Sequence, residues 1–405
     1  MPQYYERSLE KVIAETSDAF RIVLVTGPRQ VGKTSVFERC CAGTSRRRVT
    51  LDEPAARALA KNDPALFLQT FPPPLLIDEV QNAPELFPHL KMAVDRAKTN
   101  GQFWLTGSQA FPLMKHVSES LAGRVCVLPM QSLSQAERLG VPARGEFLPS
   151  ATLRPYAEAP TAAQLFSEIH RGAFPQMWAE KKTSWARFYS SYVNTYLERD
   201  VRQIISLTKE LSFSTFLRVL AARCGQMLNF SEMARDVGVS LNTVKEWVSV
   251  LRTSGLIFLL EPYFSNLTKR AVKTPKVYFF DTGLVAYLTG QSTPEALMDG
   301  PMRGAIFETY VISEILKSYM HAGVTANFYC YRDTTGREID LLIERDGKLH
   351  PVEVKLSANP SAEDARHFSV LRKIGVTTGA GAVVCLRDEA IPLCRDVIAA
   401  PIRCI

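Results

Sequence analysis

The 405-residue chain lacks a membrane signature: no stretch reaches the roughly 18 consecutive apolar residues of a spanning helix. Its first residues, MPQYYERSLEKV, lack the basic-then-apolar layout of a secretory leader. Both absences predict a cytoplasmic protein with no membrane partner. None of the eight cysteines forms a C-x-x-C pair, and no histidine stands at zinc-finger spacing from one. A structural zinc site is therefore not expected, and reduced thiols are. Internal repeats and low-complexity tracts are also missing, which excludes a solenoid. With 46% hydrophobic and 22% charged residues, the composition excludes long disorder, collagen and a coiled-coil rod. The net charge of +7 is compatible with an acidic polymer as partner but does not require one.

At about 100–200 residues per domain, the length predicts two to four domains. A helix is expected over 5–19, with Leu9, Val12 and Ile13 on one side. The runs at 21–26, 75–80, 103–106 and 125–129 read as buried strands separated by helical stretches, the pattern of an α/β layer with a parallel sheet. Pro, Ala and Gly gather around 140–161 and mark a boundary. The pattern is then helical to 225. From 302 the chain returns to α/β texture, reading helix, strand, strand, helix, strand. Four units follow: 1–150, 151–225, 226–290 and 291–405.

The strongest local signal is Gly27-Pro28-Arg29-Gln30-Val31-Gly32-Lys33-Thr34, which fits G-x-x-x-x-G-K-[ST] between an expected strand and a helix. Glycines let backbone N–H groups converge on phosphates, and the helix N-terminus adds positive potential. Lys33 is expected to reach the β- and γ-phosphates of ATP, and Thr34 to ligate Mg²⁺. A second element, LLIDE, delivers Asp78 and Glu79 at a strand end, the edge where doubly wound sheets bind ligands. Asp78 is assigned to the Mg²⁺ shell and Glu79 to activating the attacking water as general base. In FWLTGS, either Thr106 or Ser108 can hydrogen-bond the water or the γ-phosphate.

Residues 230–255 read as helix–turn–helix: Ala234 permits close crossing, Gly238 the turn, and Ser240 caps the second helix. Leu241, Val244, Val248 and Leu251 are expected on its apolar face, and Asn242, Thr243 and Lys245 exposed near its start. The run 256–260 reads as the first strand of a wing. Lys269, Arg270, Lys273 and Lys276 are candidates for phosphate contact. The alternative is that the same unit serves as a lid or a protein contact.

Near the C-terminus, REIDLLI enters a strand, Asp346-Gly347 makes a hairpin, and PVEVK follows. Alternation places Glu353 and Lys355 on one face, with Asp340 beside them across the hairpin. Asp340 and Glu353 suit Mg²⁺, Lys355 can position water, and Glu308 on the helix over 304–316 can support the metal.

Phosphate loop, acidic strand end and polar strand end resemble the AAA+ ATPases. The resemblance makes Ser108 a sensor and Arg124, in SLAGR, an arginine finger that completes a neighbour's site. This implies a homo-oligomer, a hexamer or similar ring. More closely, GPRQVGKT, LLIDEVQ, LTGSQ, SLAGR, RGAFP, YLERDV, FDTGL, GAIFE and REIDLLIE…PVEVK resemble a group of prokaryotic predicted ATPases with an N-terminal AAA+ domain and a C-terminal domain of unknown function. The RGAFP turn resembles a lid motif, with Arg171 as a second sensor. The set of Glu308, Asp340, Glu353 and Lys355 resembles the restriction-endonuclease-like fold, whose members cleave DNA, bind it, or serve structurally. The expected architecture is an AAA+ P-loop parallel-sheet domain, a helical lid with winged helix, and a nuclease-like α/β domain. The expected function is an ATP-hydrolysing protein acting on DNA. The alternatives are a nucleotide-dependent signalling switch whose C-terminal parts bind protein or DNA without cleavage, and a transcription regulator.

Overall fold

The computed structural model describes residues 3–108, 117, 119–142, 145–180, 182–197, 210–263, 274–333 and 335–405. Lys269, Arg270, Lys273, Gln109 and the end of the YLERDV motif lie outside these residues. Five parallel strands build the first sheet: β1 (Ile22–Thr26), β2 (Arg47–Thr50), β3 (Leu75–Asp78), β4 (Phe103–Gly107) and β5 (Val125–Pro129), in the order β2-β3-β4-β1-β5. Strands β1, β3 and β4 are buried at every position, so they read as continuous apolar runs without alternation. The first helix starts later than the periodicity predicts, at Leu9–Ala19, and buries Leu9 and Ile13.

The middle of the chain is helical as expected, through Ala162–Arg171, Pro175–Ala179, Trp185–Tyr192 and Glu210–Ala222. Helix Phe230–Val237 is capped by the Asn229 side chain. It ends at Gly238, whose φ of 73° is the left-handed geometry that glycine adopts without strain. Ser240 then caps helix Leu241–Thr253. Two details of this unit differ from the sequence reading. Leu241 is 39% exposed, and Trp247 fills the core instead. Thr243 is buried, its hydroxyl within 2.8 Å of the Ser240 hydroxyl in the cap.

Eight strands form the second sheet: β6 (Ile257–Pro262), β7 (Lys276–Phe279), β8 (Asn327–Arg332), β9 (Glu338–Arg345), β10 (Lys348–Val354), β11 (Gly381–Cys385), β12 (Ile391–Cys394) and β13 (Val397–Pro401). Their order is β12-β13-β11-β10-β9-β8-β6-β7. Strands after the helix–turn–helix thus share a sheet with the C-terminal strands, through parallel pairing of Glu261 with Tyr329. The sequence reading missed β7, β8, β12 and β13 of this sheet and β2 of the first. NFYCYR is part-buried without alternation, and IPLC is only four residues long with Pro392 inside it. The helix over the sheet is longer than expected, Arg303–His321, and buried on most of its surface. Asp346 and Gly347, with φ of 50° and 72°, make the expected tight hairpin.

The two sheets meet across buried ion pairs. Arg7 donates to the Val31 and Gln131 carbonyls, both at 2.7 Å, and pairs with Glu137 at 3.1 Å. Glu137 also meets His321, 3.3 Å away on the long C-terminal helix. Arg138 and Lys317 both reach Glu314, at 3.4 and 3.1 Å. Arg403 pairs with Glu168 at 2.6 Å.

RGAFP and FDTGL, far apart in sequence, meet at Asp281. Its carboxylate accepts from Ala173 N–H at 2.7 Å, Tyr189 Oη at 2.7 Å and Leu284 N–H at 2.8 Å. Gly172 has no room for a side chain, since a Cβ there lies 2.0 Å from Tyr189 Oη. Asp281→Ala strands three buried donors, and the expected loss is roughly 3 kcal/mol by chemical denaturation. A loss below about 1 kcal/mol would show that the two motifs are not joined this way.

Candidate functional site

The phosphate loop leaves the carboxyl end of β1 and turns into helix Lys33–Cys41 at Gly32, φ 95°. Gly27 packs against the start of the segment after β5: a Cβ there would fall 2.0 Å from the Met130 carbonyl oxygen. Gln30 holds a left-handed φ of 62°, and its Oε1 is buried without a hydrogen-bond partner. Lys33 is 5% exposed and donates to the loop's own carbonyls, Pro28 at 2.7 Å and Gly27 at 3.0 Å. Its ammonium therefore lies across the loop whose N–H groups it is expected to assist.

Adjacent strands deliver the acidic pair. Asp78, at the end of β3, accepts from Thr34 Oγ1 at 2.9 Å and Thr106 Oγ1 at 2.6 Å on one oxygen. Thr50 Oγ1 donates to the other at 3.4 Å. Three hydroxyls on one buried carboxylate fix it at the sheet edge. Thr106 also accepts the Glu79 N–H at 2.9 Å, so one hydroxyl ties both acids to β4. Glu79 sits in the left-handed region at φ 55°, ψ 49°, an uncommon posture for a non-glycine residue. Its carboxylate accepts from Ser108 Oγ at 2.9 Å and from the Gln81 amide.

Of the residues chosen from sequence, Lys33, Thr34, Asp78, Glu79 and Ser108 converge, and the loop 27–32 borders them. Arg124 does not join them. It precedes β5 at the amino-terminal end of the strands, where its carbonyl accepts the Ile22 N–H. Its guanidinium forks onto Asp95 at 2.6 and 2.9 Å. Those hydrogen bonds hold the Asp95 carboxyl below its usual range. Arg171 donates to the Met177 carbonyl at 2.8 Å and stacks on Trp178. Sequence reasoning missed Thr106 as a bridge, Thr50 and Gln81. Polar strand ends signal such residues, but not which carboxylate they meet.

The C-terminal acids also converge. Asp340 on β9 accepts the Val354 N–H from β10 at 2.9 Å, and Lys355 donates to Glu353 at 2.9 Å. Glu308 of the Arg303–His321 helix accepts from Tyr278 Oη at 2.5 Å. Burial, then Glu308 and Glu353, pushes the Asp340 carboxyl well above the usual range; burial also raises Glu353. Lys276 does not face an external phosphate as the sequence suggested. It is buried and pairs with Glu308 at 3.1 Å and Glu338 at 2.5 Å. Among the described residues no group of three or more His, Cys, Asp or Glu side chains is arranged to hold a metal ion, and no helix is long and apolar enough to cross a membrane.

Thr106→Val keeps shape and removes the bridge. It is expected to lower nucleotide hydrolysis about tenfold or more while changing nucleotide affinity little, because Lys33 and the loop are untouched. Equal hydrolysis by variant and wild type would remove Thr106 from the site. Asp340 gives a pH test. Its folded-state pKa is raised, so the fold binds the extra proton and stability falls as pH rises from about 4 through the folded value. Asp340→Asn is expected to gain stability relative to wild type between pH 5 and pH 8 by roughly 1 kcal/mol or more, read from denaturant midpoints. A pH-independent difference would contradict the raised pKa of the buried carboxyl.

Three family models match the chain: an AAA domain over 19–139, a domain of unknown function (DUF8612) over 163–295, and another (DUF4143) over 303–405. Uncharacterised proteins of Mycobacterium tuberculosis and Mycobacterium bovis are each 30% identical over 389 residues, spanning 94% of this chain and 80% of theirs. Among solved structures, a Walker-type ATPase of Pyrococcus abyssi is 12% identical, with a TM-score of 0.41 over 70% of this chain and 96% of that one. The Holliday junction branch migration motor RuvB of Thermotoga maritima is 16% identical, with a TM-score of 0.31 over 62% and 88%. The chain belongs to one family with the two mycobacterial proteins, and its residues 19–139 are an AAA-type ATPase domain.

Proposed function

We propose that the protein hydrolyses ATP with Mg²⁺ and uses the cycle to act on DNA, which it engages through a winged helix and a nuclease-like C-terminal domain. The observation that carries the ATPase reading is the convergence of Lys33, Thr34, Asp78 and Glu79 on one edge of the parallel sheet. The residues fit the nucleotide. The loop runs from the end of β1 into a helix N-terminus, and Lys33 begins that helix with its ammonium beside the loop. They fit the metal too, since Thr34 and Asp78 offer hard oxygen ligands. Thr34 and Asp78 would hold Mg²⁺, which would supply positive charge against the phosphates when bound.

The chain's own groups divide the remaining work. Lys33 exchanges its carbonyl partners for phosphate oxygens, a charge-assisted bond that is the stronger of the two. Glu79 takes a proton from the attacking water, and Ser108 and Gln81 aim its carboxylate. Thr106 holds the backbone of Glu79 to Asp78. Arg124 lies at the opposite end of the sheet from its own loop, which supports a role at a neighbour's nucleotide in a homo-oligomeric ring. There it exchanges Asp95 for the phosphoryl group.

The DNA reading rests on helix Leu241–Thr253, whose exposed face carries Asn242, Lys245, Ser249 and Arg252 together with one acid, Glu246. A capped second helix presenting such side chains near its start is the geometry of major-groove recognition. The nuclease-like part of the reading is supported by Asp340 and Glu353, which stand beside each other across one hairpin.

Steady-state phosphate release should rise several-fold with one form of DNA (single-stranded, duplex or branched), with Lys33→Ala as blank. The stimulation should weaken as salt rises, because phosphate contacts release counterions. A rate that no DNA form changes would contradict the DNA reading and favour a nucleotide-dependent switch.

A further inference from the structure

The phosphate loop has a contact that no motif marks. Pro28 is buried, and its carbonyl accepts from Lys33 Nζ at 2.7 Å. Against its ring lies Gly255, just past helix Leu241–Thr253. There the Leu256 N–H returns to the Leu251 carbonyl at 3.0 Å, and Gly255 takes a left-handed φ of 73°. A Cβ at Gly255 would lie 3.1 Å from Pro28 Cδ and 3.0 Å from Gln131 Nε2, inside ordinary contact distance. Gln131 fastens the contact. It is 3% exposed, and its side-chain amide donates to the Gly255 carbonyl at 3.0 Å. Its backbone carbonyl accepts from Arg7, which also donates to the Val31 carbonyl, and its N–H donates to His321 Nε2 at 3.3 Å. The loop is thus gripped at two points, Val31 by Arg7 and Pro28 by Gly255.

Capping explains the glycine but not its place on the loop. Gly238 ends the preceding helix with the same φ of 73° and the same return bond, from the Val239 N–H to the Ala234 carbonyl at 3.0 Å. A Cβ there would meet nothing within 4 Å among the described residues. Two glycines of one backbone geometry therefore differ in what they touch, and Gly255 touches the residue whose carbonyl holds Lys33. We propose that Gly255 and Gln131 are positioning residues for nucleotide binding, through which the helix–turn–helix braces the phosphate loop. A displaced Pro28 carries its carbonyl with it, and so moves the seat of the Lys33 ammonium. The helix proposed to meet DNA and the loop proposed to hold ATP then share one contact. This inference rests on the ATP-binding reading of the loop.

The test is binding of a fluorescent ATP analogue to full-length protein without DNA, with steady-state kcat and KM for ATP, in Gly255→Asn and Gly238→Asn. Asparagine tolerates the left-handed region, so both variants carry a similar small backbone cost. Gly255→Asn is expected to weaken binding about tenfold, the scale of a sub-ångström displacement. KM should rise with kcat little changed, because Asp78, Glu79 and Thr106 keep their places. Gly238→Asn should match wild type in affinity and KM. Should Gly255→Asn fail to fold, Gln131→Met serves instead. It removes the amide donor while the backbone bonds to Arg7 and His321 remain, and a weakening of about threefold is expected. Equal affinity in Gly255→Asn and Gly238→Asn, or unchanged affinity in folded Gln131→Met, would overturn the brace; the ATP reading would stand if Lys33→Ala has lost binding. Wild type that binds no more tightly than Lys33→Ala would overturn both.

Discussion

Charge buried between the two sheets is the constraint on which the arrangement depends. Glu137 is 3% exposed, and burial alone would push its carboxyl up; Arg7 and His321 outweigh that and hold it ionised. Arg7 is also hydrogen-bonded to the phosphate-loop carbonyl of Val31, while His321 closes the long C-terminal helix. Removing one partner from such a set leaves an uncompensated buried charge, which typically costs about 3–5 kcal/mol. The geometry of the loop and the seat of the C-terminal domain therefore stand or fall together. Gln135 extends the seam, donating to the Ile402 and Ile405 carbonyls at 2.8 and 3.1 Å.

The same logic recurs at both acidic sites, with opposite solutions. Around Asp78 the compensation comes from three threonine hydroxyls, which hydrogen-bond the carboxylate without cancelling its charge. An oxygen site left negative and firmly placed is suited to a hard cation. Around Asp340 the compensation is an ammonium and a raised carboxyl pKa, so the charge is already answered within the chain. One cluster keeps its charge for an external partner; the other answers most of its charge within the chain and, among the described residues, leaves only Glu353 Oε2 unpaired.

The sequence made the first site legible because its chemistry is local. A phosphate loop is eight contiguous residues, and an acidic strand end needs only a buried strand before it. Asp340 and Glu353 were legible too, since a two-residue turn fixes which positions face each other across a hairpin. What stayed hidden depends on contacts across the sheet or between units. Lys276 reads as a surface base from its neighbours Lys269, Arg270 and Lys273, and only the register of β7 turns it inward. Arg124 shows no sign in sequence of Asp95, 29 residues earlier. Helical spacing put Leu241 on the apolar face, but it occupies the first turn, where the core has not yet closed over the helix. Strand β8 failed to register because it is only partly buried and lacks alternation, and β12 because it is four residues long with a proline inside it.

Single-turnover ATP hydrolysis by full-length wild type and Glu79→Gln addresses the central claim most directly. If the Asp78–Glu79 edge performs the chemistry, the variant retains ATP, and its hydrolysis rate falls roughly 100-fold or more, the usual worth of a general base. Equal rates in the two proteins would mean that the phosphate loop serves binding alone and that this edge of the sheet is not where ATP is cleaved.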